Sequence, residues 1–285
     1  MSQQTPEQIH AQTPEPPTST PDPEEGVDQA AFVPPRRSWL ADLHLAMSFM
    51  TRLPLPALSN MPRGELARAM AAFPLVGVVV GAIGAVTYGL SHVLLPPQLA
   101  ALLALAAMIR ATGCLHEDGL ADVADGFGGG WDKGRQLDIM KDSRIGSYGM
   151  VTVVLVLALR AGAMAAIATP WHVAAALLAA HALSRAAIPA LMQFLPSARP
   201  NGLGAQAGQP DRATAWVAAG IAVGVAVVAL PLSTVFAAVV VSALAVKAMV
   251  RLARHHLGGH TGDVLGATQQ VVEVCVLLTV LAVWR

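Results

Sequence analysis

Charge is what this chain has least of. Asp, Glu, Lys and Arg make up 13% of its 285 residues, about half the share of an ordinary soluble domain. That scarcity excludes a solvated globular surface of normal make-up. Neither sign is in excess, with 18 acids against 18 bases, which excludes a nucleic-acid partner held by bulk electrostatics. Aromatics are also few, at 5%, so the 54% hydrophobic content is mostly Ala, Val and Leu. Such small side chains suit closely packed transmembrane helices. Only two cysteines occur, Cys114 and Cys275, both in or beside apolar runs. They form neither a disulfide framework nor a zinc-type spacing and read as inert packing residues. The first 35 residues lack a basic start and an apolar core, so they do not read as a signal peptide.

What is present is long apolar runs, and a mean hydropathy of +0.55 points to a bilayer as solvent. The expected fold class is all-α: a polytopic integral membrane helical bundle of about seven transmembrane segments plus an amphipathic N-terminal helix. Residues 1–37, rich in Pro, Glu, Thr and Gln, are expected to be a disordered tail, and residues 38–285 the membrane-embedded domain. Trp39, Leu40, Leu43, Ala46, Met47 and Met50 mark one face of a short helix expected at the interface. Spans are expected near 66–95, 98–112, 150–169, 173–195, 213–230, 235–250 and 264–284. Gly77, Gly81, Gly84 and Gly89 in the first would let neighbouring helices approach closely. The connections near 96–97, 170–171 and 231–233 contain no Lys or Arg, whereas the opposite side carries many. That asymmetry places the N-terminus and the polar loops in the cytoplasm.

Residues 112–149 hold seven of the eighteen acids and four of the eighteen bases. Asp118, Asp122 and Asp125, spaced by four and then three, stack along one face of a helix. Three carboxylates there read either as a solvated helix face or as a seat for a hard divalent cation such as Mg2+. Glycines around them, Gly119 among them, let a substrate approach backbone N–H groups. Asp142, placed four residues after Asp138, is a further metal ligand, with Lys141, Ser143 and Arg144 as substrate-binding groups for phosphate oxygens. Carboxylates for metal beside Lys and Arg form the inventory of phosphoryl transfer. His116 is a candidate base or phosphate donor, or else an interfacial or capping residue. Glu117 lies about 100° round the helix from Asp118 and is expected to face solvent.

Outside the stretch, Arg185 stands in an apolar run. It reads as a phosphate or substrate-amide contact or as a snorkelling side chain. Arg160 and Lys247 read as pairing or snorkelling, and Glu273 as a partner for one of them or a cavity-lining group. Thr261 and Asp263, in G-G-H-T-G-D-V-L-G-A, open the last helix. Asp263 is either a first-turn or capping acid or part of the site, with Thr261 as a substrate contact.

L-H-E-D-G-L-A-D-V-A-D-G, I-M-K-D-S-R-I-G-S-Y-G and G-G-H-T-G-D-V-L-G-A, with F-M-T-R-L-P-L-P and F-P-L-V-G upstream, resemble the cobalamin synthase family, the adenosylcobinamide-GDP ribazoletransferases. The resemblance runs from about residue 45 to the end. One departure stands out: where the family usually has H-L-D-G, this chain has His116-Glu117-Asp118-Gly119. The resemblance implies a magnesium-dependent, multi-pass enzyme of the bacterial cytoplasmic membrane. It would join adenosylcobinamide-GDP to α-ribazole or its 5'-phosphate and release GMP. Asp118, Asp122, Asp125 and Asp142 would hold metal, and Asp125 or Asp263 would accept the hydroxyl proton. It leaves room for a homo-oligomer or for association with other late cobalamin-pathway enzymes. Two rivals are a CDP-alcohol phosphatidyltransferase, whose D-G-x-x-A-R opening fails here because Asp122 stands at the arginine position, and a cation transporter, whose acids belong near the midplane.

Overall fold

A bundle of α-helices forms wherever the apolar runs are long, because backbone polar groups in lipid must be satisfied within the segment itself. The structure, a computed structural model, describes residues 38–56, 64–199, 202 and 207–284. The expected tail over residues 1–37 therefore lies outside the described residues, as does most of the P-N-G-L-G-A segment. The helices are α1 (Trp39–Met50), α2 (Glu65–Ala69), α3 (Phe73–His92), α4 (Pro97–Thr112), α5 (Leu115–Gly129), α6 (Lys133–Ile139), α7 (Ser147–Ile167), α8 (Pro170–Met192), α9 (Arg212–Ala229), α10 (Leu232–Leu257) and α11 (Gly262–Trp284). A 3-10 turn, Met70–Ala72, joins α2 to α3.

Six helical segments are long and apolar enough to cross a membrane: Glu65–His92, α7, α8, α9, α10 and α11. The sixteen residues of α4 reach only about 24 Å, and α4 qualifies only when joined to α5, which leaves its axis at 90°. We read α4 as the crossing part and α5 as lying along the membrane face. Two successive left-handed residues make the bend, Gly113 (φ 65°) and Cys114 (φ 61°). Cys114 is thus an exposed turn residue, not the packing residue expected.

Small residues set the packing as anticipated. A Cβ at Gly77 would strike the His181 carbonyl, one at Gly81 would lie 3.0 Å from the Leu177 oxygen, and one at Gly84 would strike the Met108 sulfur. Glycine at these three positions therefore seats α3 against α8 and α4. Gly89 has open space instead. The helix α1 starts at its Ser38 cap, whose Oγ accepts from the Ala41 N–H. Its inward side holds Leu45, Ala46, Met47 and Met50, while Trp39 and Leu40 are exposed. Asp42 is buried and pairs with Arg68 at 3.0 Å.

The connections sort to two ends of the bundle. At one end the Tyr88 hydroxyl donates to the Ala168 carbonyl and the Trp284 indole N–H donates to Thr234 Oγ1. At the other, the Ala198 N–H donates to the His260 carbonyl and the Arg52 N–H to that of Ala111. There too, Arg254 donates to Phe194 O and Gln136 Nε2 meets His256 Nδ1 at 2.9 Å. The three polar segments thus share one end.

Candidate active site

Helix α5 carries the acids to that polar end. Gly119 faces the start of α11 so closely that a Cβ there would lie 2.8 Å from the Asp263 carbonyl oxygen. This approach joins Asp263 to the acid face across 144 residues of sequence. Thr261 caps α11: its Oγ1 accepts from the Val264 N–H and donates to Asp263 Oδ2 at 3.1 Å. Capping therefore falls to Thr261, and the Asp263 carboxylate turns to the site. Gly119→Ala should displace Asp263. Because a shift of about 1 Å can cost ~10²-fold in rate, kcat should fall far more than thermal stability does; parallel activity and unfolding curves check this.

Asp122 lies between these groups. Burial pushes its carboxyl up to about 7, with the neighbouring Asp263, Asp118 and Asp125 adding to the effect and Arg199 opposing it. Neighbouring like charges oppose one another's ionisation, so the acid face favours a proton or a cation. Asp125 is already engaged: its Oδ2 accepts from the Gly146 N–H at 2.7 Å and its Oδ1 from the Gly149 N–H at 2.8 Å. It thereby satisfies two of the orphan donors at the start of α7.

Lys141, Asp142, Ser143 and Arg144 occupy an exposed turn. The turn begins where Met140 packs under Gly126 and ends where Gly146 binds Asp125. It therefore adjoins the far end of the acid face. Helix α6 stops at Ile139, so Asp142 is not one helical turn from Asp138 as expected. Its carboxylate is gripped by Arg144, with Nη2 to Oδ2 at 2.6 Å, and that bond holds it down at about 2.

Arg199 is a neighbour the sequence reading missed. Its Nη2 donates to the Leu137 carbonyl at 2.7 Å, and its Nη1 stands 3.9 Å from Asp263 Oδ2. The only hint in the sequence is an arginine beside the glycine-rich P-N-G-L-G-A. Among the described residues, no group of three or more His, Cys, Asp or Glu is arranged to hold a metal ion by itself.

A cavity of about 130 Å3 adjoins Asp118, Gly119 and Asp263. The acids, Arg199 and this cavity occupy the polar end of a membrane bundle. The family described as Cobalamin-5-phosphate synthase matches residues 42–281. The chain belongs to this family. It is similar to the adenosylcobinamide-GDP ribazoletransferase of Bradyrhizobium diazoefficiens, 46% identical over 247 residues, covering 86% of this chain and 95% of the relative. It is also similar to the protein of that name from Mesorhizobium japonicum, 45% identical over 243 residues, covering 85% and 93%. The Rhizobium etli counterpart is 44% identical over 257 residues, covering 86% and 99%. No solved structure matches the chain.

Within this family member, Glu117 departs from the expected solvent-facing position: it is buried. Its Oε1 lies 3.1 Å from Arg160 Nη1 and accepts from Gln270 Nε2 at 3.0 Å. Arg160 also pairs with Glu273, which meets His181 Nδ1 at 3.2 Å. Arg185, only 1% exposed, reaches His181 Nδ1 at 2.8 Å instead of the open acid face. Two carboxylates thus face two guanidiniums around a space of about 10 Å3, room for one water. His116 borders both this space and the 130 Å3 cavity. Lys247 stays exposed.

Proposed function

We propose that this chain transfers the cobinamide-phosphate moiety of adenosylcobinamide-GDP to a ribose hydroxyl of α-ribazole or its 5'-phosphate. The products are adenosylcobalamin, or its 5'-phosphate, and GMP. The observation that carries this reading is the meeting of Asp118, Asp122 and Asp263 beneath Arg199, in a chain whose relatives bear the ribazoletransferase name.

Asp263 or Asp118 accepts the hydroxyl proton. The hydroxyl oxygen bonds to the cobinamide-side phosphorus, the bond from that phosphorus to the GMP oxygen breaks, and GMP leaves. Arg199, Lys141 and Arg144 hold phosphate oxygens as charge shifts to the leaving group. The donor set fits Mg2+: magnesium takes one or two carboxylates and fills its shell with water and substrate phosphates, so a complete protein cage is not required. Two of Asp118, Asp122 and Asp263 would hold it, since Asp125 and Asp142 already have partners. When bound, the ion offsets phosphate charge.

The Lys and Arg asymmetry supports a multi-pass arrangement in a bacterial cytoplasmic membrane with the polar end in the cytoplasm. Purified protein in liposomes should release GMP only when the corrinoid-GDP, the riboside and Mg2+ are all present. GMP release that ignores the riboside would overturn the reading.

A further inference from the structure

The 130 Å3 cavity has a wall of two kinds. Phe49, Met50, Met70, Phe73, Ile188 and Leu265 make it apolar, and Asp118 and Asp263 supply carboxylates. The rings of Phe49 and Phe73 lie parallel within 8°, their centres 6.4 Å apart. At ~10–15 Å3 for each water-sized position, the space holds on the order of ten non-hydrogen atoms. A diphosphate would lose its hydration against the apolar wall without recompense, and a corrin macrocycle is several times too large. A flat, fused bicyclic aromatic ring meets the size and the chemistry, and a polar group attached to it emerges at the carboxylates. His116 borders both this cavity and the small space beside Arg160 and Arg185, and its Nε2 is buried with no hydrogen-bond partner among the described residues.

We propose that this cavity is the subsite for the aromatic base of the nucleoside acceptor, with Phe49, Phe73 and Ile188 setting which bases fit. The proposal rests on the reading under Proposed function and locates its acceptor. The base enters the apolar wall, and the ribose comes to Asp118 and Asp263. The phosphates of the donor stay on the Asp122 and Arg199 side.

Two full-length variants in liposomes test it, with the corrinoid-GDP as donor and the ribosides of benzimidazole and of dimethylbenzimidazole as competing acceptors. Ile188→Phe narrows the cavity. It should raise the KM for the dimethylated acceptor about tenfold more than that for the unsubstituted one, as methyl-sized differences in apolar pockets do. The KM for the donor should stay within twofold. Phe49→Ala widens the cavity and should move the preference towards the larger base. General damage to the fold would lower kcat for both acceptors alike, and should one variant fail to fold, the other still reads the preference. An unchanged acceptor ratio in the folded variants, with wild type active, overturns the subsite alone. A wild-type protein that uses neither riboside overturns the proposed function and the subsite with it.

Discussion

Asp118→Asn is expected to lower kcat by about 10²–10⁴-fold while the protein stays as stable as wild type or becomes slightly more so. Asp118 is exposed on α5, and no hydrogen bond of the fold among the described residues runs through its carboxylate. Asn keeps the shape and removes a charge that presses on Asp122. What is lost is affinity for cation and proton. Asp125→Asn is the instructive contrast. Both Asp125 oxygens accept backbone N–H groups at the start of α7, so an amide there turns one donor against another. That substitution should cost roughly 1 kcal/mol, as loss of a helix cap does, together with activity. Thermal unfolding and steady-state kinetics on both variants separate the cases. Turnover within threefold of wild type for Asp118→Asn would remove that residue from the chemistry.

Arg160→Met is expected to cost about 3–5 kcal/mol, the usual result of stripping one partner from a buried ion pair. Against a total of ~5–15 kcal/mol, that is a large fraction of the stability, so the unfolding midpoint should drop sharply. The reason is local: Arg160, 2% exposed, is the cation between Glu117 and Glu273, and without it two buried carboxylates are left with Arg185 alone to offset them. Glu117→Leu should be milder, because Arg160 keeps Glu273 and the Gln270 side-chain oxygen at 3.0 Å. Combining Arg160→Met with Glu117→Leu should recover part of the loss. Yield of monodisperse protein and unfolding midpoints in detergent measure all three. Equal costs for the two single changes would show that the cluster does not depend on Arg160 in this way.

The crossing helices were legible because apolar runs bounded by proline leave little choice of length. Helix α4 ends at Thr112, where it was expected. Helix α10 continues to Leu257, past the expected end at 250, because R-L-A-R-H-H-L reads as a loop by polarity although it remains helical up to the left-handed Gly258. At the site, the spacing of Asp118, Asp122 and Asp125 placed them on one helix, and α5 carries all three. Spacing does not reveal what lies opposite. The partners of Asp125 are 21 and 24 residues away, and those of Glu117 are 43 and 153 away. Helical geometry gave the angle between Glu117 and Asp118 but not which of them faced inward. Arg199 was overlooked because its value comes from reaching Asp263 and Leu137, contacts that only the folded loop creates.

The charges buried between α5, α7 and α11 bear on how the chain enters a bilayer as it is synthesised. Glu117 emerges before Arg160, and Glu273 emerges long after. Arg160 thus has one partner, Glu117, from the chain before it, and its second, Glu273, only once the last helix is in place.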